Sequence, residues 1–135
     1  MITFDHVAVA VHRIGDASAM VEEMLGGVRG ETGEGRGFRF QQWTFPGGIV
    51  ELLEPLGEGS FLQRFLADRG EGLHHITFKV ADLPAWAARF RAAGYQVVGE
   101  NYDNPGWREI FIHPKSAHGV LIQLAETLPD PGRGD

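Results

Sequence analysis

The first apolar run, Ile2 to Val11, mixes β-branched residues with alanine and reads as a strand buried on both faces, with His6 in its middle. After Gly15-Asp16, apolar residues recur at helical spacing (Ala17, Met20, Val21, Met24, Leu25) and stop at Gly26-Gly27, which predicts a short amphipathic helix over 17–25. Glycine-rich turns then separate predicted strands at 28–32, 38–45 and 48–54, the last followed by Pro55. The first half therefore reads β-α-β-β-β.

The second half repeats that order: a strand at 73–80, a helix at 83–93 ended by Gly94, and strands at 95–98, 107–113 and 119–126. Between the halves, Ser60 to Arg69 reads as a connecting amphipathic helix with Ser60 as its N-cap. The repeat shows in letters too. His6-Val-Ala-Val-Ala-Val11 aligns with His75-Ile-Thr-Phe-Lys-Val80, and Ile49-Val-Glu-Leu-Leu-Glu54 with Leu121-Ile-Gln-Leu-Ala-Glu126, at nearly equal offsets. The predicted class is α+β, one domain of two tandem βαβββ units packed side by side. Repeat 1 covers about 1–56, a linker helix about 59–70 and repeat 2 about 72–127. The tail, 128–135, is rich in Pro, Gly and Asp and is expected to be loose.

Composition narrows the chemistry. A chain of 135 residues, 43% hydrophobic, can bury one sizeable core. A formal charge of -6 and the lack of any Lys/Arg run argue against nucleic acid or an anionic membrane as partner, and favour a small molecule. No stretch approaches the roughly eighteen apolar residues of a membrane span, and the Met1-Ile-Thr-Phe start lacks a signal-like run, so a cytoplasmic location is expected. With no cysteine, thiolate zinc sites, iron–sulfur clusters and cysteine nucleophiles are excluded, and any metal must be held by nitrogen and oxygen.

Four polar residues interrupt the apolar strands at duplicated positions. Strand alternation sets His6 with Phe4, Ala8 and Ala10, leaving Val7, Val9 and Val11 to face the helix layer. It sets Glu51 with Ile49 and Leu53, His75 with Leu73 and Thr77, and Gln123 with Leu121 and Ala125. Burying one such group unpartnered costs roughly 1–3 kcal/mol. A single strand histidine is ordinarily a hydrogen-bonded core residue. Two imidazoles, a carboxylate and an amide oxygen at matched positions instead suit a divalent cation.

At these residues the chain resembles the vicinal oxygen chelate (glyoxalase/bleomycin-resistance/dioxygenase) superfamily, and within it the methylmalonyl-CoA epimerase branch. The resemblance is carried by Phe4-Asp-His-Val-Ala-Val-Ala-Val11, Glu51-Leu-Leu-Glu-Pro-Leu56, Gly72-Leu-His-His-Ile-Thr-Phe-Lys-Val80 and Ile112-His-Pro-Lys-Ser-Ala-His-Gly-Val-Leu-Ile-Gln-Leu124. It implies a curved, cup-shaped mixed sheet with helices outside, and a divalent ion (Co, Mn, Zn, Ni or Fe) held by His6, Glu51, His75 and Gln123. It also implies a metal-dependent epimerase or isomerase that forms an enolate from an acyl-CoA thioester, with methylmalonyl-CoA the leading substrate, working as a homodimer. Lys115 and Ser116, in the His-Pro-Lys-Ser turn, are candidates for substrate binding.

The chain also departs from that pattern. The resemblance places glutamate where Gln123 stands, and a basic carboxylate on the strand that here runs Phe38-Arg-Phe-Gln-Gln-Trp-Thr-Phe45. An amide cannot accept a proton at neutral pH, so both bases of the branch are missing, and a Gln123→Glu change is expected to raise activity if that carboxylate is limiting. Glu51, Glu109 and His113 are the candidate replacements. Alternation sets Glu109 and His113 against Arg108, Ile110 and Ile112, without deciding which face meets the site. His74 reads as a packed neighbour of His75, and His12 and His118 as solvent-facing. Trp43, Trp86 and Trp107 read as core or cleft-lining, and the glycines of 33–37 as turn residues. The other readings are a different metal-dependent reaction (glyoxalase-like, lyase or hydrolase, or ferrous dioxygenase) and a non-catalytic small-molecule binder.

Overall fold

Eight strands and three helices follow one another as β1 (Ile2–Ala10), α1 (Ile14–Ala19), β2 (Val28–Gly35), β3 (Phe38–Phe45), β4 (Gly48–Pro55), α2 (Phe61–Arg69), β5 (Gly72–Val80), α3 (Leu83–Ala92), β6 (Val97–Asn101), β7 (Arg108–Ile112) and β8 (Leu121–Glu126). They come from a computed structural model, which describes residues 1–129. The class is α+β, with parallel and antiparallel pairing mixed. The chain divides into two compact units: a first, His6–His74, and a second made of Met1–Asp5 with the chain from His75 onward. The division falls at the two repeat-related histidines.

In the first unit the strand order is β2-β3-β4-β1. β1 runs parallel to β4, setting Ala8 beside Glu51 and Ala10 beside Leu53. β3 and β4 form a hairpin whose two-residue turn, Pro46-Gly47, pairs Phe45 with Gly48 and so brings Gln42 opposite Glu51. Pro46 presets φ for the turn, and Gly47 takes φ +94°. One face packs Val9, Val11, Val21, Trp43, Val50 and Leu52 with Ile14 and Ala17 of α1. The other packs Ala8, Ala10 and Leu53 beneath Leu62 and Leu66 of α2. Val9 and Val11 thus face a helix as expected, but the His6 side meets one as well, because the linker helix folds back over it. Each large apolar side chain buried in this way contributes roughly 1.5–3 kcal/mol.

The second unit repeats the plan, with the first residues of β1 beside β5 and then the order β5-β8-β7-β6. His75 is paired with Leu121 and Thr77 with Gln123. Helix α3 covers Phe78, Val80, Ile110, Ile122 and Leu124 through Leu83, Trp86, Ala87 and Phe90. The duplicated Glu-x-x-Glu and Gln-x-x-Glu motifs both end in a glutamate that serves the helix lying earlier in the same repeat. Glu54 Oε1 accepts the Ile14 N–H at 2.9 Å, and Glu126 accepts those of Asp82 and Leu83 at 2.6 and 3.2 Å. Each carboxylate satisfies donors at the start of the helix after the first strand of its repeat.

Several boundaries differ from expectation. Helix α1 begins at Ile14, where Glu54 caps it, and continues as a π-helical turn over Met20–Met24 before Gly26 (φ +79°). Its core-facing stripe is the buried Val21 with the partly buried Ile14 and Ala17, while Met20, Met24 and Leu25 are exposed. A cap from a residue 40 positions away moved the start and rotated the face. β2 extends through Gly33 and Gly35, which are strand residues rather than turn residues: the Phe40 and Phe38 rings lie within 3.0 Å of where their Cβ atoms would sit. The Leu128 N–H donates to Pro105 O at 2.8 Å, so the chain is tied down there, and the rest of the expected loose tail, 130–135, lies outside the described residues. Ser60 does cap α2, accepting from the Leu62 N–H at 3.1 Å.

Candidate active site

The four polar residues singled out in the strands, His6, Glu51, His75 and Gln123, are all buried. In the first unit, His6 Nε2 lies 3.7 Å from Glu51 Oε1, while Glu51 Oε2 accepts a 2.7 Å hydrogen bond from Gln42 Nε2. The hairpin register creates that second contact. One carboxylate oxygen faces the imidazole and the other is held by an amide, so the buried charge is solvated by fixed dipoles.

In the second unit the same positions carry a different arrangement. Thr77, next to Gln123 across the parallel pair, donates its hydroxyl to Gln123 Oε1 at 2.6 Å. Gln123 Nε2 donates to Glu109 Oε1 at 2.8 Å, and Trp107 Nε1 donates to the same oxygen at 3.0 Å. The acceptor-only carboxylate fixes which end of the amide is which: nitrogen toward Glu109, oxygen toward Thr77. That oxygen keeps a second lone pair, which is what ligation of a cation requires. Phe111, opposite Gln123, sets its ring edge-on to His75, with centroids 6.3 Å apart.

These contacts settle the orientation of β7. Ile110 and Ile112 are buried, Ile110 against α3, so Glu109 faces the side that carries His75 and Gln123. His113, beyond the end of β7, organises the turn that follows it. Its Nδ1 accepts the Lys115 N–H at 3.0 Å, and its carbonyl accepts the Ser116 N–H at 2.9 Å. Ser116 Oγ accepts the Gln96 N–H at 2.9 Å, tying the turn to the segment before β6, and Lys115 is exposed. His74 packs against Phe65 and Phe61, with centroids at 4.9 and 5.7 Å. Its burial, assisted by the nearby positive charge of Arg69, pushes its pKa down to about 4 and keeps the ring neutral. His12 and His118 are exposed. Trp43 belongs to the core, with Nε1 on Glu22 Oε1 at 3.1 Å.

Gln42, Thr77 and the pairing of Trp107 with Glu109 were not anticipated from the sequence. Gln42 was within reach, since a two-residue turn at Pro46-Gly47 fixes its partner as Glu51. The contacts of Thr77 and Trp107 depend on which side chains meet across a parallel pair and at a strand entrance, which periodicity does not report.

The profile of the Glyoxalase/Bleomycin resistance protein/Dioxygenase superfamily matches residues 5–111. The chain belongs to that superfamily. Over 128 residues it is 34% identical to an ethylmalonyl-CoA/methylmalonyl-CoA epimerase of Cereibacter sphaeroides, covering 90% of this chain and 96% of the relative. The crystal structure of methylmalonyl-CoA epimerase from Mycobacterium tuberculosis superposes with a TM-score of 0.84 at 32% identity, over 97% of this chain and 91% of that one. A Streptomyces coelicolor methylmalonyl-CoA epimerase variant in complex with 2-nitronate-propionyl-CoA gives 0.81 at 32% identity, over 93% and 97%.

Proposed function

We propose that this protein is a metal-dependent epimerase of an acyl-CoA thioester, with methylmalonyl-CoA as its substrate. The observation that carries the reading is the set of buried side chains able to hold a cation, His6, Glu51 and His75, in a chain whose relatives are named as epimerases of methylmalonyl-CoA. The donors fit such an ion chemically: two imidazoles and a carboxylate, with the remaining lone pair of Gln123 Oε1 as a fourth. A divalent ion there would supply Lewis-acid stabilisation of negative charge on the thioester oxygen.

The protein's own part is to move a proton at C2 of the substrate. Glu109 carries the carboxylate for one face. It takes the C2 proton as the C–H bond breaks, the electron pair passes to the thioester oxygen, and the acid so formed can return the proton. Glu51 is the second candidate carboxylate. Lys115 and Ser116 are assigned to substrate binding, and His113 to shaping their turn rather than to proton transfer.

The test is hydrogen–deuterium exchange at C2 of methylmalonyl-CoA in deuterium oxide, with metal-free protein reloaded separately with cobalt, manganese, zinc, nickel or ferrous ion. Metal-dependent exchange, lost together with bound metal in His75→Ala while the far-UV spectrum is retained, is the expected result. Protein that binds metal and shows no exchange would reject the epimerase reading. Two histidines and a carboxylate also suit ferrous iron, so oxygen consumption with a catechol by the iron-loaded sample alone would favour the dioxygenase alternative.

A further inference from the structure

We infer that Trp107 is a positioning residue for the proton-transferring carboxylate Glu109. The inference rests on the reading of Glu109 as the base. Trp107 precedes β7, Glu109 is its second residue, and Gln123 lies on the neighbouring strand β8. Two N–H donors, the indole of Trp107 and the amide of Gln123, meet on Glu109 Oε1 at 3.0 and 2.8 Å. Neither falls on Oε2. One oxygen is therefore committed to the clamp and fixes the rotamer, which leaves the other as the proton acceptor.

The clamp is itself anchored at both ends. The Gln123 amide is fixed by the Thr77 hydroxyl on its oxygen. The Trp107 ring carries the Lys79 ammonium over its face at 4.9 Å, and Lys79 Nζ in turn donates to Thr127 Oγ1 at 3.0 Å. An indole under a cation is held in plane and in place. A strand-borne glutamate has three rotatable bonds, and losing either clamp would let its carboxylate sample positions from which C2 is out of reach.

The experiment is a double-mutant cycle on C2 exchange with the metal-loaded protein. Trp107→Phe keeps a ring for Lys79 and removes only the N–H. It is expected to lower kcat roughly 10-fold with KM and metal content unchanged, since one hydrogen bond to a charged group is lost. In a Glu109→Gln background, the same substitution is expected to add no further loss. An equal loss in both backgrounds, or none in the wild-type background, overturns the clamp. If Glu109→Gln alone leaves exchange intact, the base assignment fails and the clamp fails with it. A readout independent of turnover is the ¹⁵N–¹H signal of the Trp107 indole, expected to shift upfield in Glu109→Leu; a signal that stays put would remove the contact itself.

Discussion

The two units fold alike and treat their polar residues in opposite ways. In the first, the carboxylate stands on the strand next to the histidine strand, as Glu51 on β4, and the amide that holds it, Gln42, comes from β3. In the second the order is reversed: the amide Gln123 stands on β8 and the carboxylate Glu109 on β7. Each unit contains one carboxylate–carboxamide pair, with the charge moved by one strand. A duplicated fold can therefore keep its donor count while relocating its charge, which explains how a chain with glutamine in the place expected for a glutamate still presents a carboxylate.

Removing the relocated charge should have the largest effect: Glu109→Gln lowers metal-loaded C2 exchange by about 10² to 10⁴, the usual worth of a positioned proton transfer, with fold and metal content retained. The expectation from sequence that Gln123→Glu raises activity is replaced by its opposite, because that change sets a second carboxylate against Glu109 across a 2.8 Å contact. Gln123→Glu should lower exchange at least about 10-fold through like-charge repulsion, and the swap Glu109→Gln with Gln123→Glu should recover part of it. If the single change behaves as well as the wild type, the two units do not differ as described.

In the first unit, Gln42→Leu removes a donor on Glu51 and should cost about 1–3 kcal/mol in urea unfolding, because a buried carboxylate loses one hydrogen bond. His74 distinguishes the units by pH. Its folded-state pKa, about 4, lies below the ordinary 6.5, so the unfolded chain binds the proton more readily. The full stability is present above about pH 6.5 and falls toward pH 4, with a slope of up to about 1.4 kcal/mol per pH unit. His74→Phe should flatten that part of the pH profile. The smallest effect belongs to the shared caps: Glu54→Gln and Glu126→Gln should each cost about 1 kcal/mol, with Glu126 the larger because it accepts two N–H groups.

Much of this was legible in the residues. β3 has the bounds predicted for it, α3 and Ser60 sit where spacing and capping chemistry put them, and the repeat was visible in two aligned motifs. Burial of His6, Glu51, His75 and Gln123 followed from the apolar strands around them. What escaped was set by contacts distant in sequence: the start of α1 by Glu54, the buried His6 side by the return of α2, and the fixing of Gln123 by Thr77 and Glu109. Periodicity reports which way a side chain points. It does not report what it meets there.

β4 carries Glu51 toward the histidine and, three residues on, Glu54 toward the first turn of α1. β8 likewise carries Gln123 toward Glu109 and, three residues on, Glu126 toward the start of α3. An odd separation along a strand places the two on opposite faces, so each strand works as a lever between the helix it caps and the proposed ligand on its other face. A pull on Glu51 from a bound ion would be resisted by the anchorage of α1, and loosening that helix from outside would slacken the ligand. If the proposed ion is held there, substitutions on the solvent side of α1 or α3, far from any chemistry, would tune its affinity without touching a proposed ligand.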